Sequence, residues 1–195
     1  MGASFPATTQ VKLSAYLPTN YYGPLGAQPV TSGGPVTTNQ IWIYPYVVTQ
    51  LITFSGVAIN CTTGTSGNVQ VGLYNDNVGK PGTLIDSTAS MAITTPATLT
   101  ANFAAGNRQL APGLYWIGSN SDTANSFMGV SGTNAFGPWN IGSATLSHVF
   151  SAAAQVNGVS AAQTFGTWPT LVGATLSDLS STRVPYIALL CASVP

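Results

Sequence analysis

The sequence predicts an all-β protein, an antiparallel β-sandwich of jelly-roll-like type with an irregular N-terminal arm. Apolar and polar residues alternate in short runs, and Gly, Pro, Asn and Ser interrupt these runs about every 8 to 12 residues. No segment shows a convincing amphipathic helical pattern. At 195 residues, the chain has the length of one domain, or of one domain with an arm.

Residues 1–39 form the predicted N-terminal arm or cap, and residues 40–195 form the predicted sandwich domain. Proline and glycine recur throughout the first segment. Because proline lacks a backbone donor and fixes its own φ angle, this composition disfavours long strands. We therefore expect a mostly extended arm or an irregular cap.

Strands are predicted wherever alternation persists between turn residues. In residues 68–74, Val69, Val71 and Leu73 share one face, which is the period of two that a half-buried strand requires. The same pattern recurs in residues 98–103 and 114–119. The complete set of predicted strands is 11–16, 40–48, 50–59, 68–74, 83–86, 90–94, 98–103, 114–119, 126–130 and 185–192.

A second irregular stretch is predicted between residues 132 and 173. It places Trp139 and Trp168 among Gly, Ala, Asn and Ser. Large aromatic side chains in long loops commonly pack back over a sheet, and the alternative is an exposed contact surface. Residues 152–162 are rich in alanine and are compatible with one helical turn.

Charge is the most unusual property of the chain. Only 4% of residues are charged, the formal net charge is zero, and glutamate is absent. Binding to nucleic acid or to an anionic membrane needs clustered Lys and Arg, so we expect neither partner. A neutral surface lacks self-repulsion and favours association, although a bland secreted or cell-surface β module would share it.

Few residues are suited to catalysis or metal binding. The single histidine, His148, cannot build a Cys/His metal cluster, and we expect no cofactor. The four aspartates lie in turns or at strand ends, where Asp commonly bonds to the backbone. We therefore expect no enzyme. Cys61 and Cys191 lie in apolar contexts, which favours buried free thiols over a disulfide.

Glycan binding is the alternative function that the composition allows. Neutral sugars bind to aromatic faces and to uncharged donors and acceptors, with no need for net charge. Four aromatic residues in polar or Gly-rich loops are candidate contacts with a glycan or a protein partner: Tyr21, Tyr22, Trp139 and Trp168.

Two segments carry a resemblance to a known class of protein. Residues 69–84 read VQVGLYNDNVGKPGTL, and residues 110–118 read LAPGLYWIG. This hairpin and the following strand resemble a β-sandwich module of structural proteins from tailed bacteriophages. The runs at 42–48, 51–54 and 183–189 resemble its opening and closing strands.

The resemblance implies a virion component that is made in the host cytoplasm: a capsid decoration (cement), head-fibre or tail-fibre protein. It implies a homotrimer that contacts the major capsid protein or other virion proteins, with the N-terminal arm suited to attachment. It supplies no catalytic residues, so the expected function is structural, with a host-attachment module that binds surface glycan as the alternative.

Overall fold

A computed structural model describes residues 16–27, 29–30, 36–130, 156–180 and 184–195. Every regular element in these ranges is a β-strand, and the sheets are antiparallel, which confirms the predicted all-β sandwich-like fold. Nowhere in the described ranges is there a helix with the length and hydropathy needed to cross a bilayer. The predicted strand at 11–16 lies outside these ranges except for its last residue.

The strands, numbered in chain order, form two large sheets and one small sheet. The six-stranded sheet contains β1 (Tyr21–Tyr22), β4 (Ile52–Thr63), β8 (Ala97–Asn102), β9 (Arg108–Leu110), β11 (Ser126–Phe127) and β16 (Ile187–Ser193). The seven-stranded sheet contains β3 (Gln40–Val48), β5 (Asn68–Asp76), β6 (Pro81–Ser87), β7 (Met91–Ala92), β10 (Gly113–Ser121), β13 (Val156–Ala162) and β14 (Ser177–Ser180). The small sheet contains β2 (Pro29–Val30), β12 (Gly129–Val130) and β15 (Val184–Pro185).

The main core lies between the two large sheets. The chain passes from β3 in one sheet to β4 in the other and back to β5, so alternate residues of successive strands meet in one layer. Burial of each large apolar side chain contributes about 1.5–3 kcal/mol relative to exposure. Those with 1% or less of their surface exposed include Tyr44, Tyr46, Phe54, Leu73, Ile117 and Phe127.

The described part of the N-terminal segment packs onto the sandwich. Tyr16 and Val36 are buried in the main core, and β1 adds to the edge of β16. The Tyr46 hydroxyl donates a hydrogen bond of 2.8 Å to the backbone oxygen of Tyr22. The described parts of this segment therefore contain two short strands and pack against the sandwich.

The structure corrects several local predictions. The Ala-rich segment is not helical, because β13 occupies Val156–Ala162 and pairs with β3. Its small residues are needed for close packing: a Cβ at Gly158 would lie 2.3 Å from the Ile43 backbone oxygen. The predicted strand at 90–94 is shortened to Met91–Ala92, while β9 and β14 were not predicted.

Candidate functional site

The outer face of the seven-stranded sheet carries a second apolar cluster. This cluster contains Ile41, Ile43, Tyr74, Trp116, Val159, Ala161 and Leu171. The chain between β13 and β14 crosses over this face, and the Leu171 amide donates a 2.9 Å hydrogen bond to the Gly82 oxygen. A face that would be open to solvent in a simple two-layer sandwich is thereby covered.

Trp168 is the centre of this cover. Its ring lies over Gly72, where a Cβ would come within 2.5 Å of Trp168 Cε3, and it is tilted at 56° to the Tyr74 ring with 6.1 Å between centroids. Trp168 Nε1 and Tyr74 Oη are buried and have no hydrogen-bond partner among the residues that the structure describes. Burial also raises the pKa of Tyr74 well above its ordinary value. Glycine at position 72 therefore provides the space that the indole ring occupies.

Trp116 links this cluster to the β5–β6 hairpin. Its Nε1 donates to Asp76 Oδ1 at 2.8 Å, and Asp76 Oδ2 accepts from the Gly79 amide at 3.1 Å. Asp76 is thus a turn residue, as the sequence suggested, with a second role in holding the indole.

A cavity of about 190 Å³ lies beside Trp116. Pro81, Val159 and Leu176 provide apolar walls, and Lys80 and Asp178 line the same cavity. Small-molecule sites commonly measure roughly 300–1,000 Å³. This cavity is therefore closer in size to a pocket for one or two side chains than to a site for a cofactor.

The β5–β6 hairpin ends in a two-residue turn with unusual backbone geometry. Asn77 and Lys80 exchange two backbone hydrogen bonds of 2.7 and 3.2 Å, and Val78 and Gly79 have φ angles of +53° and +77°. Asn-Gly or Gly-Gly is the usual choice for such a turn, because a left-handed backbone costs an L residue about 1–2 kcal/mol. A β-branched residue is therefore strained at position 78, and its side chain is 94% exposed.

Lys80 and Asp178 differ from the other charged residues of the described chain. Asp86 accepts from Arg108 Nε at 2.6 Å, and Asp122 accepts from the Asn68 amide. Lys80 and Asp178 are exposed, and within the described ranges neither side chain makes a hydrogen bond or an ion pair. The two free charges therefore face one cavity.

Asp122 is held by a dense set of donors. The Asn68 amide and Nδ2 donate at 2.6 and 2.7 Å, and the Thr123 hydroxyl donates at 3.0 Å. Burial acts to raise the pKa of Asp122, but these hydrogen bonds outweigh it and hold that pKa below its ordinary value. The carboxylate therefore holds the end of β10 against the start of β5.

The two cysteines and the possible metal ligands are also placed. Cys61 and Cys191 are free and buried, as predicted, and burial raises the pKa of both thiols. In the part of the chain that the structure describes, no three His, Cys, Asp or Glu side chains are grouped to bind a metal ion. His148 lies outside the described residues.

The four predicted contact residues do not form one site. Tyr21 is 46% exposed on the six-stranded sheet, whereas Trp168 packs on the outer face of the seven-stranded sheet. The Tyr22 hydroxyl accepts from the Leu17 amide at 2.6 Å, and its ring packs edge-on against Tyr16. Trp139 lies outside the described residues.

The hairpin itself was predicted from the sequence, but the strained conformation of Val78 and the cavity beside the tip were not. The only local signal was Val78 between Asn77 and Gly79, where a two-residue turn favours asparagine or glycine. The other half of the cavity comes from β13 and β14, which were not predicted as strands. Comparison with protein-family models, with curated proteins and with solved structures finds no match to the chain.

Proposed function

We propose that the chain is a non-enzymatic structural protein of a phage virion, a capsid decoration (cement) or fibre component. The observation that carries this proposal is a β-sandwich whose surface is almost uncharged, with a net charge of zero. Proteins with little net charge associate readily, because no long-range repulsion keeps the copies apart. The hairpin and strand motifs that resemble phage sandwich modules support the same class.

The mechanism is burial of neutral surface between copies and against other virion proteins. A stable interface of this type buries more than about 1,000 Å² in total and excludes charged residues from its centre. Strand β8 is suited to such a contact, because it pairs with β4 on one side and its residues are mostly exposed. No other strand of the described ranges pairs with its second edge, so the backbone groups on that side are available to a partner strand. The partners are further copies, as a homotrimer, and the major capsid protein.

The test has two measurements on the full chain. Its mass is measured by light scattering, and its binding is measured with purified particles that lack it. Because the contacts are neutral, binding should persist at 1 M salt, where the Debye length is about 3 Å. Thr100→Lys places a charge on the β8 edge and should weaken binding, while Thr175→Lys, in an exposed loop, is the matched control. A monomer that fails to bind particles would overturn the proposal.

Glycan binding is retained as the second candidate because Tyr21 is exposed and the chain carries few charges. Trp168 is less suited, since its ring packs on Gly72. A glycan array with the unaltered chain, Tyr21→Ala and Trp139→Ala tests this function. Specific binding that the substitutions reduce would favour host attachment, and no binding to any glycan would exclude it.

A further inference from the structure

The side chain at the tip of the β5–β6 hairpin, Val78, adds strain to the fold without packing against it. Val78 is strained by its positive φ angle, and its side chain is 94% exposed, so it gains no burial in return. Strain of this kind persists where the surrounding structure enforces it and is concentrated at functional positions. A contact made by the tip to another molecule would bury this side chain.

The cavity beside Trp116 adjoins the tip and has the properties of a receptor for such a side chain. Gly79, directly after Val78, lines it, and its wall is mixed: Pro81, Val159 and Leu176 contribute apolar surface, while Lys80 and Asp178 contribute polar surface. Its volume of about 190 Å³ is below the usual range for small-molecule sites of roughly 300 Å³ or more. A single inserted valine side chain fits this size, and its methyl groups would contact the apolar part of the wall.

The charges that line the cavity indicate which molecule provides the inserted side chain. Lys80 and Asp178 line the same cavity with opposite charges, and neither has a partner within the described ranges. In a contact with twofold symmetry, a surface patch meets an identical patch. Each Lys80 can then lie opposite the other copy's Asp178, so the patch is complementary to itself in charge.

We propose that two copies of the chain dock through this patch, with Val78 of each copy inserted into the other's cavity and two reciprocal Lys80–Asp178 ion pairs. The inference rests on the proposed function and deepens it, because it names a second copy as the partner of one surface. The contact is separate from the threefold contacts of a homotrimer. A chain that makes both types of contact assembles as a hexamer if the twofold and threefold axes intersect, and as a larger array of linked trimers if they do not.

Charge reversal tests the reciprocal pairs in the full chain. Lys80→Asp alone and Asp178→Lys alone each bring like charges together twice and should weaken the pairwise contact about tenfold or more. An equimolar mixture of the two variants should recover it as a mixed complex, because each chain then offers what the other lacks. Native mass spectrometry and light scattering measure the masses.

Val78→Asn tests the tip. Asparagine accepts a left-handed backbone, so this variant should unfold at a higher denaturant concentration. Its association should nevertheless be weaker by about tenfold or more. Val172→Asn replaces another exposed valine, 53% exposed and outside the cavity lining, and should leave the association unchanged. The opposite effects of Val78→Asn on stability and on association distinguish a docking residue from a folding residue.

The outcomes separate this inference from the proposed function. If the single charge reversals leave the mass unchanged, or if their mixture forms no mixed complex, the proposed docking of two copies is wrong. The proposal that the chain assembles on particles would still stand. If Val78→Asn abolishes particle binding while the mass stays the same, the tip contacts another virion protein and the second copy is wrong as its partner. A monomeric chain that does not bind particles overturns both.

Discussion

Substitution of Gly72 by alanine tests how the chain covers the outer face of the seven-stranded sheet. The added Cβ would lie 2.5 Å from Trp168 Cε3, whereas ordinary carbon contacts are about 3.5–4.0 Å, so the ring must move by roughly 1 Å. Overpacking of this kind costs about 1–3 kcal/mol. We therefore expect Gly72→Ala to lower the free energy of unfolding by about 2 kcal/mol, measured by urea denaturation followed by circular dichroism.

The same substitution should have the opposite sign when the ring is absent. In a Trp168→Ala background the space above Gly72 is open, and alanine in a strand is favoured over glycine by about 0.5–1 kcal/mol. The double-mutant cycle should give a coupling energy of about 2–3 kcal/mol. An equal cost of Gly72→Ala in both backgrounds would refute the view that Trp168 dictates glycine at this position.

Gly118 provides the matched control for this cycle. It lies opposite Gly72 in the β5–β10 register, but a Cβ there would meet Ile43 Cγ1 at 2.8 Å and the Trp42 backbone oxygen at 3.0 Å. Gly118→Ala should therefore be destabilising to the same extent with and without the Trp168 ring. If its cost also fell in the Trp168→Ala background, the coupling would be a general loosening of the sheet and not a contact with one ring.

Three further predictions concern Asp122, the ion pair of Arg108 with Asp86, and the two buried thiols. The pKa of Asp122 is lower in the folded chain, so its hydrogen bonds stabilise the fold above about pH 4 and this contribution is lost as the pH falls through the folded pKa; Asp122→Ala should reduce stability at pH 7 and flatten the acid limb of a stability–pH curve. Arg108→Met removes the ion-pair partner of buried Asp86 and should cost about 2 kcal/mol in urea denaturation. Cys61 and Cys191 should react with a thiol reagent only as fast as the chain opens, and rapid labelling of the native protein would contradict their burial.

The alternation of apolar and polar residues predicted the strands correctly where only one face of a strand is apolar. The predicted bounds of β3 match Gln40–Val48, and Val69, Val71 and Leu73 of β5 face the main core as their spacing indicated. In such strands, the inner and outer residues differ strongly in polarity, so the period of two is visible in the sequence.

The pattern failed where both faces of a strand are buried. In β13 most residues are buried, and close packing on β3 requires small side chains such as Gly158. Small residues on both faces leave no alternation to detect, and alanine suggested a helix instead. The cavity beside Trp116 could not be predicted for the same reason, since β13 and β14 complete it from a distant part of the chain.

The position of β16 has a consequence for when the chain can fold. Although it is the last strand in the described sequence, it lies inside the six-stranded sheet, with β1 on one side and β4 on the other. During synthesis, β4 therefore exposes an unpaired backbone edge until residues 187–193 have emerged, and such an edge invites pairing with other chains. Because the pairings of β16 with β1 and β4 join segments that are distant in the sequence, the sheet closes slowly compared with the formation of local structure. Nascent or truncated chains are thus the species at risk of aggregation. Pairing of β16 with β4 covers the exposed edge and removes that risk.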